Sequence, residues 1–214
     1  MFNIKEPVNA LTHLAGAVLS SVALVWMIIK GVSNGSTLQI VSALVFGLSL
    51  IALYTASTVY HWVPSSEKVD AILRRVDHSM IYILIAGTYT PVCLIALKGT
   101  LGWTLFGIVW GLAALGIVMK LVWFNAPRWL YTAFYLILGW MAIFFIVPLY
   151  KSLPLQGFVW LIVGGLSYSL GSVIYATKSK KIQISVFGFH EIFHLFVLGG
   201  SLAHFLMIEK FILV

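Results

Sequence analysis

The chain has 214 residues, of which 61% are hydrophobic and only 9% charged. With a mean hydropathy of +1.04, it lacks the polar residues that a water-soluble globule needs to cover its surface. This excludes a soluble enzyme, a nucleic-acid-binding domain and a disordered regulator, and the formal net charge of +7 reads as membrane orientation.

A membrane helix needs about 20 mostly apolar residues to cross roughly 30 Å of hydrocarbon. The stretches free of charge predict seven, near residues 10–29, 38–61, 79–97, 101–122, 129–149, 157–176 and 187–208. The first has only Lys5 before it and no small-residue cleavage site followed by a soluble body, so it reads as a span rather than a signal peptide. The links are short and carry Gly, Pro, Ser, Asn and Lys. The expectation is one all-α domain over residues 1–214, a bundle of seven transmembrane helices. Gly107 with Gly111, and Ser167 with Gly171, are small pairs at helical spacing that pack helices within or between chains. Cys93 is the only cysteine, so no internal disulfide forms.

The basic residues assign the two faces. The N-terminus and the second, fourth and sixth links hold nine: Lys5, Lys68, Arg74, Arg75, Lys120, Arg128, Lys178, Lys180 and Lys181. The other side holds four, Lys30, Lys98, Lys151 and Lys210. The positive-inside rule then puts the N-terminus in the cytoplasm and the C-terminus outside, in the plasma (bacterial inner) membrane. On this count Arg74 and Arg75 are topology charges or contacts to anionic headgroups.

Ionisable residues at membrane depth are costly and mark function. Glu6, His13, His61, Asp77, His78, His190, Glu191 and His194 all fall at the cytoplasmic ends of their predicted helices. Asp77 and His78 are expected to open the third helix. His204 lies ten residues beyond His194, about 15 Å along a helix, and reads as a hydrogen-bonded helix contact.

His190 and His194 are four residues apart and share a helix face, which lets two imidazoles hold one metal. The string His190-Glu-Ile-Phe-His194 matches the H-E-x-x-H pattern of zinc proteases, with Glu191 in the place of the general base. Without metal, the two histidines would bond neighbouring helices. A catalytic zinc takes three protein ligands and keeps one position open. His61 supplies the third from the end of the second helix. Ser57, one turn earlier, would hold a water or a substrate oxygen. Asp77 would hold water or act as base; its structural alternatives are a pair with Arg74 or a helix cap. Glu6, Asn9, Thr12 and His13 share one helical surface and read as a supporting polar cluster or as an entry cap.

These residues resemble a known family. Glu6-Pro-Val-Asn9-Ala-Leu-Thr12-His13, Ser57-Thr-Val-Tyr60-His61, Asp77-His78 followed by Ala86-Gly87-Thr88-Tyr89-Thr90-Pro91, and His190-Glu-Ile-Phe-His194 followed by Gly200-Ser201 and His204-Phe205 are similar, in order, to the signatures of the bacterial hemolysin III proteins. Those proteins belong to the progestin and adipoQ receptor family. The resemblance implies seven helices, a cytoplasmic N-terminus and a zinc held by the histidines matching His61, His190 and His194, with Asp77 and Ser57 beside it. It implies zinc-dependent hydrolysis of a lipid amide, or a role in membrane lipid homeostasis, with a membrane lipid as substrate or ligand. The acidic residue at Glu191 need not recur in relatives, which favours Asp77 over Glu191 as base. The receptor branch carries a large N-terminal cytoplasmic segment, whereas this chain starts almost at its first helix, so signalling through such a segment is not expected. A non-enzymatic regulator, a pore-forming cytolysin and a transporter are the competing readings. Seven apolar helices are a poor fit to a cytolysin that must first be soluble, and the sparse polar residues toward the outer face are a poor fit to a conduction path.

Overall fold

The structure, a computed structural model, describes residues 4–123, 126–178 and 187–214. Seven helices in it are long and apolar enough to cross a membrane: α1 (Pro7–Ser33), α2 (Thr37–Trp62), α3 (Glu67–Leu97), α4 (Gly99–Val122), α5 (Trp129–Ser152), α6 (Leu155–Thr177) and α7 (Phe189–Phe211). Each packs against the next in chain order, and α7 returns to α1, closing a ring. Local signals start and stop the helices. Pro7 sits in the first turn of α1, where its missing N–H costs nothing. The Ser36 hydroxyl accepts the Gln39 N–H at 3.3 Å to open α2, and Gly35, at φ +63°, makes the preceding turn.

The third helix begins at Glu67, twelve residues before the predicted residue 79. Hydropathy marks the part of a helix that lies in hydrocarbon, not the helix itself. The charged segment Glu67–Arg75 is still a good helix former, with Glu67 and Asp70 in the first turn facing the positive end of the dipole. Asp77 and His78 therefore do not open α3. They lie about three turns inside it, which removes the cap reading of Asp77.

Two helices are irregular, for identifiable reasons. Pro91 cannot donate to the ladder, and the last turns of α3, Val92–Leu97, widen into a π-helix. The predicted fifth helix is interrupted: Trp140–Phe145 tightens into a 3₁₀ segment. There the Tyr89 hydroxyl inserts from α3, donating to the Gly139 carbonyl at 2.6 Å and accepting the Ala142 N–H at 2.8 Å.

The interior is built from Met27, Phe46, Leu50, Tyr54, Met207 and Ile208 on one side and Tyr82, Leu105, Val109 and Ala113 on the other. Side chains such as Val22, Val118 and Phe144 are exposed on the outer wall, where the solvent is lipid. Burial against lipid supplies no hydrophobic drive, so close packing and polar contacts hold helices together. The contact between α6 and α7 shows both. Ser167 Oγ donates to the Phe196 carbonyl at 2.8 Å. A Cβ on Gly171 would lie 2.7 Å from Phe196, and one on Gly164 2.5 Å from the His204 ring. Gly107 and Gly111 have nothing within 4 Å among the described residues, so that pair packs no described helix of its own chain.

Some of the basic residues counted for orientation are engaged. Lys5 pairs with Asp70 at 2.6 Å, and Lys30 with Glu209 at 3.2 Å. Lys120 is only 3% exposed. Lys180 and Lys181 lie outside the described residues.

Candidate metal centre

Three helix segments bring imidazoles to one point. His61 ends α2, and His190 and His194 occupy the first two turns of α7. One ring nitrogen from each lies within 4.8 Å of the others. The ring centroids of His61 are 5.0 Å from those of both His190 and His194. The Nε2 atoms of His190 and His194 are 3.1 Å apart, close to the edge of about 3.3 Å that Zn–N bonds of about 2.05 Å give a tetrahedron.

His61 is held in one orientation. Its Nδ1–H donates to Glu6 Oε2 at 2.6 Å. That bond holds the Glu6 carboxylate down at about 2 against an ordinary 4.5, while partial burial pushes the other way. With Nδ1 committed, Nε2 is the nitrogen left for a ligand, and it is buried without a hydrogen-bond partner. A carboxylate behind a ligating histidine is the arrangement that sets tautomer and ring angle at metal sites. The residues present therefore fit a metal: a converging set of three nitrogen donors, one of them an orphaned buried acceptor.

Glu6 also accepts from Asn9 Nδ2 at 3.1 Å. The same Asn9 nitrogen donates to Glu191 Oε1 at 2.9 Å. Glu191 Oε2 accepts the Gly188 N–H at 2.9 Å, closing the first turn of α7. A continuous chain of polar contacts thus runs from His61 on α2 to the end of α7 that carries His190 and His194. Both Glu191 oxygens are occupied by it, so the H-E-x-x-H string here carries a helix cap between its histidines. The strap before α1 is tied down by the backbone bonds Glu6 N–H to His61 O, 2.9 Å, and Lys5 N–H to Trp62 O, 3.2 Å.

His13 is buried and stacks on His194, with centroids 3.6 Å apart and planes 9° from parallel. It supports the ligand ring from behind. His78 faces Tyr175, whose hydroxyl is 3.5 Å from Nε2. A cavity of about 470 Å³ opens beside the cluster. Ser57, Asp77, His78, His190 and His194 line it at this end, and Leu84, Val92, Leu149 and Leu161 continue it into the bundle. The His61 ring and the Ser57 hydroxyl are both near enough to Asp77 to act on its charge. His204 lines the far part of the same cavity. It packs on Gly164 of α6, a helix contact, but without the expected hydrogen bond: its buried Nδ1 has no partner among the described residues.

The structure brings His61, His190 and His194 together, sets Ser57, Asp77, Glu6 and His13 on the wall of the adjoining cavity and joins Asn9 to Glu6. The sequence reading missed two things. The Asn9 bridge joins residues 182 apart and left no local signal, although Glu191 three residues after Gly188 is the spacing of a cap. Lys120 and Arg74, counted as surface charges, also line the cavity.

The family model described as Haemolysin-III related matches residues 1–205. The chain is 47% identical over 206 residues to the hemolysin-3 homolog of Bacillus subtilis (strain 168), covering 96% of this chain and 93% of that protein. It is 42% identical over 213 residues to hemolysin-3 of Bacillus cereus, covering 98% and 93%. It is 29% identical over 176 residues to the human monocyte to macrophage differentiation factor, covering 80% and 71%.

Proposed function

The chain belongs to the haemolysin-III related family, and from that premise we propose that it is a zinc-dependent membrane hydrolase acting on a lipid amide or ester. The observation that carries this reading is the convergence of His61, His190 and His194 beside a cavity, lined by His190 and His194, that is polar at one end and apolar beyond. A structural zinc is closed by four protein ligands, whereas a catalytic one keeps a position free. A group of three histidines, two of which line a cavity, supports the second kind.

His61, His190 and His194 would hold the ion. When bound there, zinc supplies Lewis acidity, polarising a carbonyl and acidifying water. The remaining work falls to the chain's own residues. Leu84, Val92, Leu149 and Leu161 take up the hydrocarbon of the substrate and exclude bulk water. Ser57 donates a hydrogen bond to a water or a substrate oxygen. Asp77 takes the proton from the attacking water and returns it to the departing amine or alkoxide. The carbon–heteroatom bond breaks as the new carbon–oxygen bond forms. Glu191, spent on Asn9 and Gly188, has no part in proton transfer.

The protein would sit in the plasma or bacterial inner membrane with its N-terminus in the cytoplasm, which places the chemistry near the inner leaflet. Metal-loaded, untagged protein assayed against a panel of N-acyl and O-acyl lipids is expected to release free fatty acid, and Asp77→Asn to retain zinc without turnover. Zinc bound stoichiometrically with no product across the panel would overturn the hydrolase and leave a regulator of lipid homeostasis with a structural metal.

A further inference from the structure

The cavity wall at the histidine end carries two cations that the reaction above does not use. Lys120 is in the last turn of α4, yet it is 3% exposed. Its Nζ sits 3.7 Å from the centroid of the Tyr131 ring, a cation–π distance. Tyr131 is itself held, its hydroxyl donating to the Trp123 carbonyl. The ring is therefore fixed beneath the ammonium before anything binds. Arg74 of α3 lines the same space.

The charges around this end do not favour a second cation. Glu6 is committed to His61 and Asn9. Asp77 is the remaining carboxylate among the residues lining this cavity, whose wall it shares with Lys120, Arg74, His190 and His194. A divalent metal on the histidines would make the region more positive still. A cation withdrawn from water and set on a cavity wall attracts an anion strongly, because the local dielectric is low. Beyond the cations the wall is hydrocarbon, so the complementary ligand has an anionic head and an apolar chain.

We propose that Lys120, braced on Tyr131, and Arg74 form an anion site that holds the phosphate or carboxylate headgroup of an amphiphile whose chain lies in the cavity. This rests on reading the cavity as a lipid site, and it narrows the substrate class to anionic lipids. The headgroup is gripped to one side of the histidines, and the bond to be cleaved lies between grip and chain.

The test uses full-length protein in maltoside micelles and calorimetric titration with three probes. Octyl phosphate carries the anion and a chain. Octylphosphocholine carries the same chain with a phosphodiester whose single charge is offset by a quaternary ammonium. Inorganic phosphate carries the anion alone. Octyl phosphate is expected to bind about tenfold more tightly than octylphosphocholine, the value of one charge-assisted hydrogen bond. Lys120→Met should abolish that preference while leaving octylphosphocholine affinity unchanged, and Lys120→Arg should keep it. Displacement of octyl phosphate by millimolar inorganic phosphate would support the anion site and assign it to the free ion; no displacement would support it with the lipid headgroup as source. Equal affinity for the two octyl probes in the wild type overturns the proposal. So does a preference that survives in a folded Lys120→Met protein; if that variant does not fold, Arg74→Gln makes the same decision. The titration repeated on His61→Ala separates this site from the metal. A preference kept without metal leaves the anion site standing even if hydrolysis is never found. A normal metal content with no preference does the reverse.

Discussion

His61 shows how much one side chain can commit. Its Nδ1–H is spent on Glu6, its Nε2 is buried and empty-handed, and its neighbours are two more imidazoles. Elemental analysis of untagged protein is expected to find about one zinc per chain in the wild type and little in His61→Ala, His190→Ala or His194→Ala. Glu6→Gln and Asn9→Ala should keep the ligands but weaken the metal about 10- to 100-fold, the usual cost of removing a partner behind a ligand, read by competition with a fluorescent chelator. The three-histidine cluster was legible in the sequence because a spacing of four and a shared depth are local facts that topology adds up. Lys120 was not. A lysine at the end of an apolar run looks the same whether it points to water or into the bundle, and only the packing of α4 on α5 decides.

At the scale of the helix, close approach is bought with missing side chains. Gly164 on α6 lies under the His204 ring of α7, and a Cβ there would sit 2.5 Å from it. Gly164→Val is expected to destabilise the protein by about 1–3 kcal/mol, as overpacking does, seen as a lower thermal midpoint. Gly107→Val, on an open face, should leave the midpoint nearly unchanged. The seven helices were read correctly in number because hydropathy reports residence in hydrocarbon. Their lengths and breaks were not. The polar first turns of α3 carry no hydropathy signal, and the 3₁₀ segment of α5 depends on a tyrosine fifty residues away from Gly139. Consequently the depth of Asp77 was right while its place in the helix was not.

The whole molecule is a ring of helices with the histidine cluster, Glu6 and Asp77 gathered at one end of its cavity. The nine-to-four distribution of basic residues predicts an N-terminus in the cytoplasm. Labelling of intact cells with a membrane-impermeant maleimide is expected to reach Ser33→Cys, at the end of α1, and to miss Lys68→Cys at the start of α3. The opposite pattern would turn the protein over and move the site to the outer leaflet.

That labelling exploits Cys93. It is the only cysteine of the chain and is 0% exposed, set in the π-helical turn of α3. A reagent in water or in lipid meets no native thiol, so the wild-type chain already serves as a silent background. Pairs of introduced cysteines carrying nitroxide spin labels, one on the strap before α1 and one at the start of α7, would report the distance between those segments by electron resonance. Titrating metal into such samples would show whether the two segments draw together as the three imidazoles close on an ion.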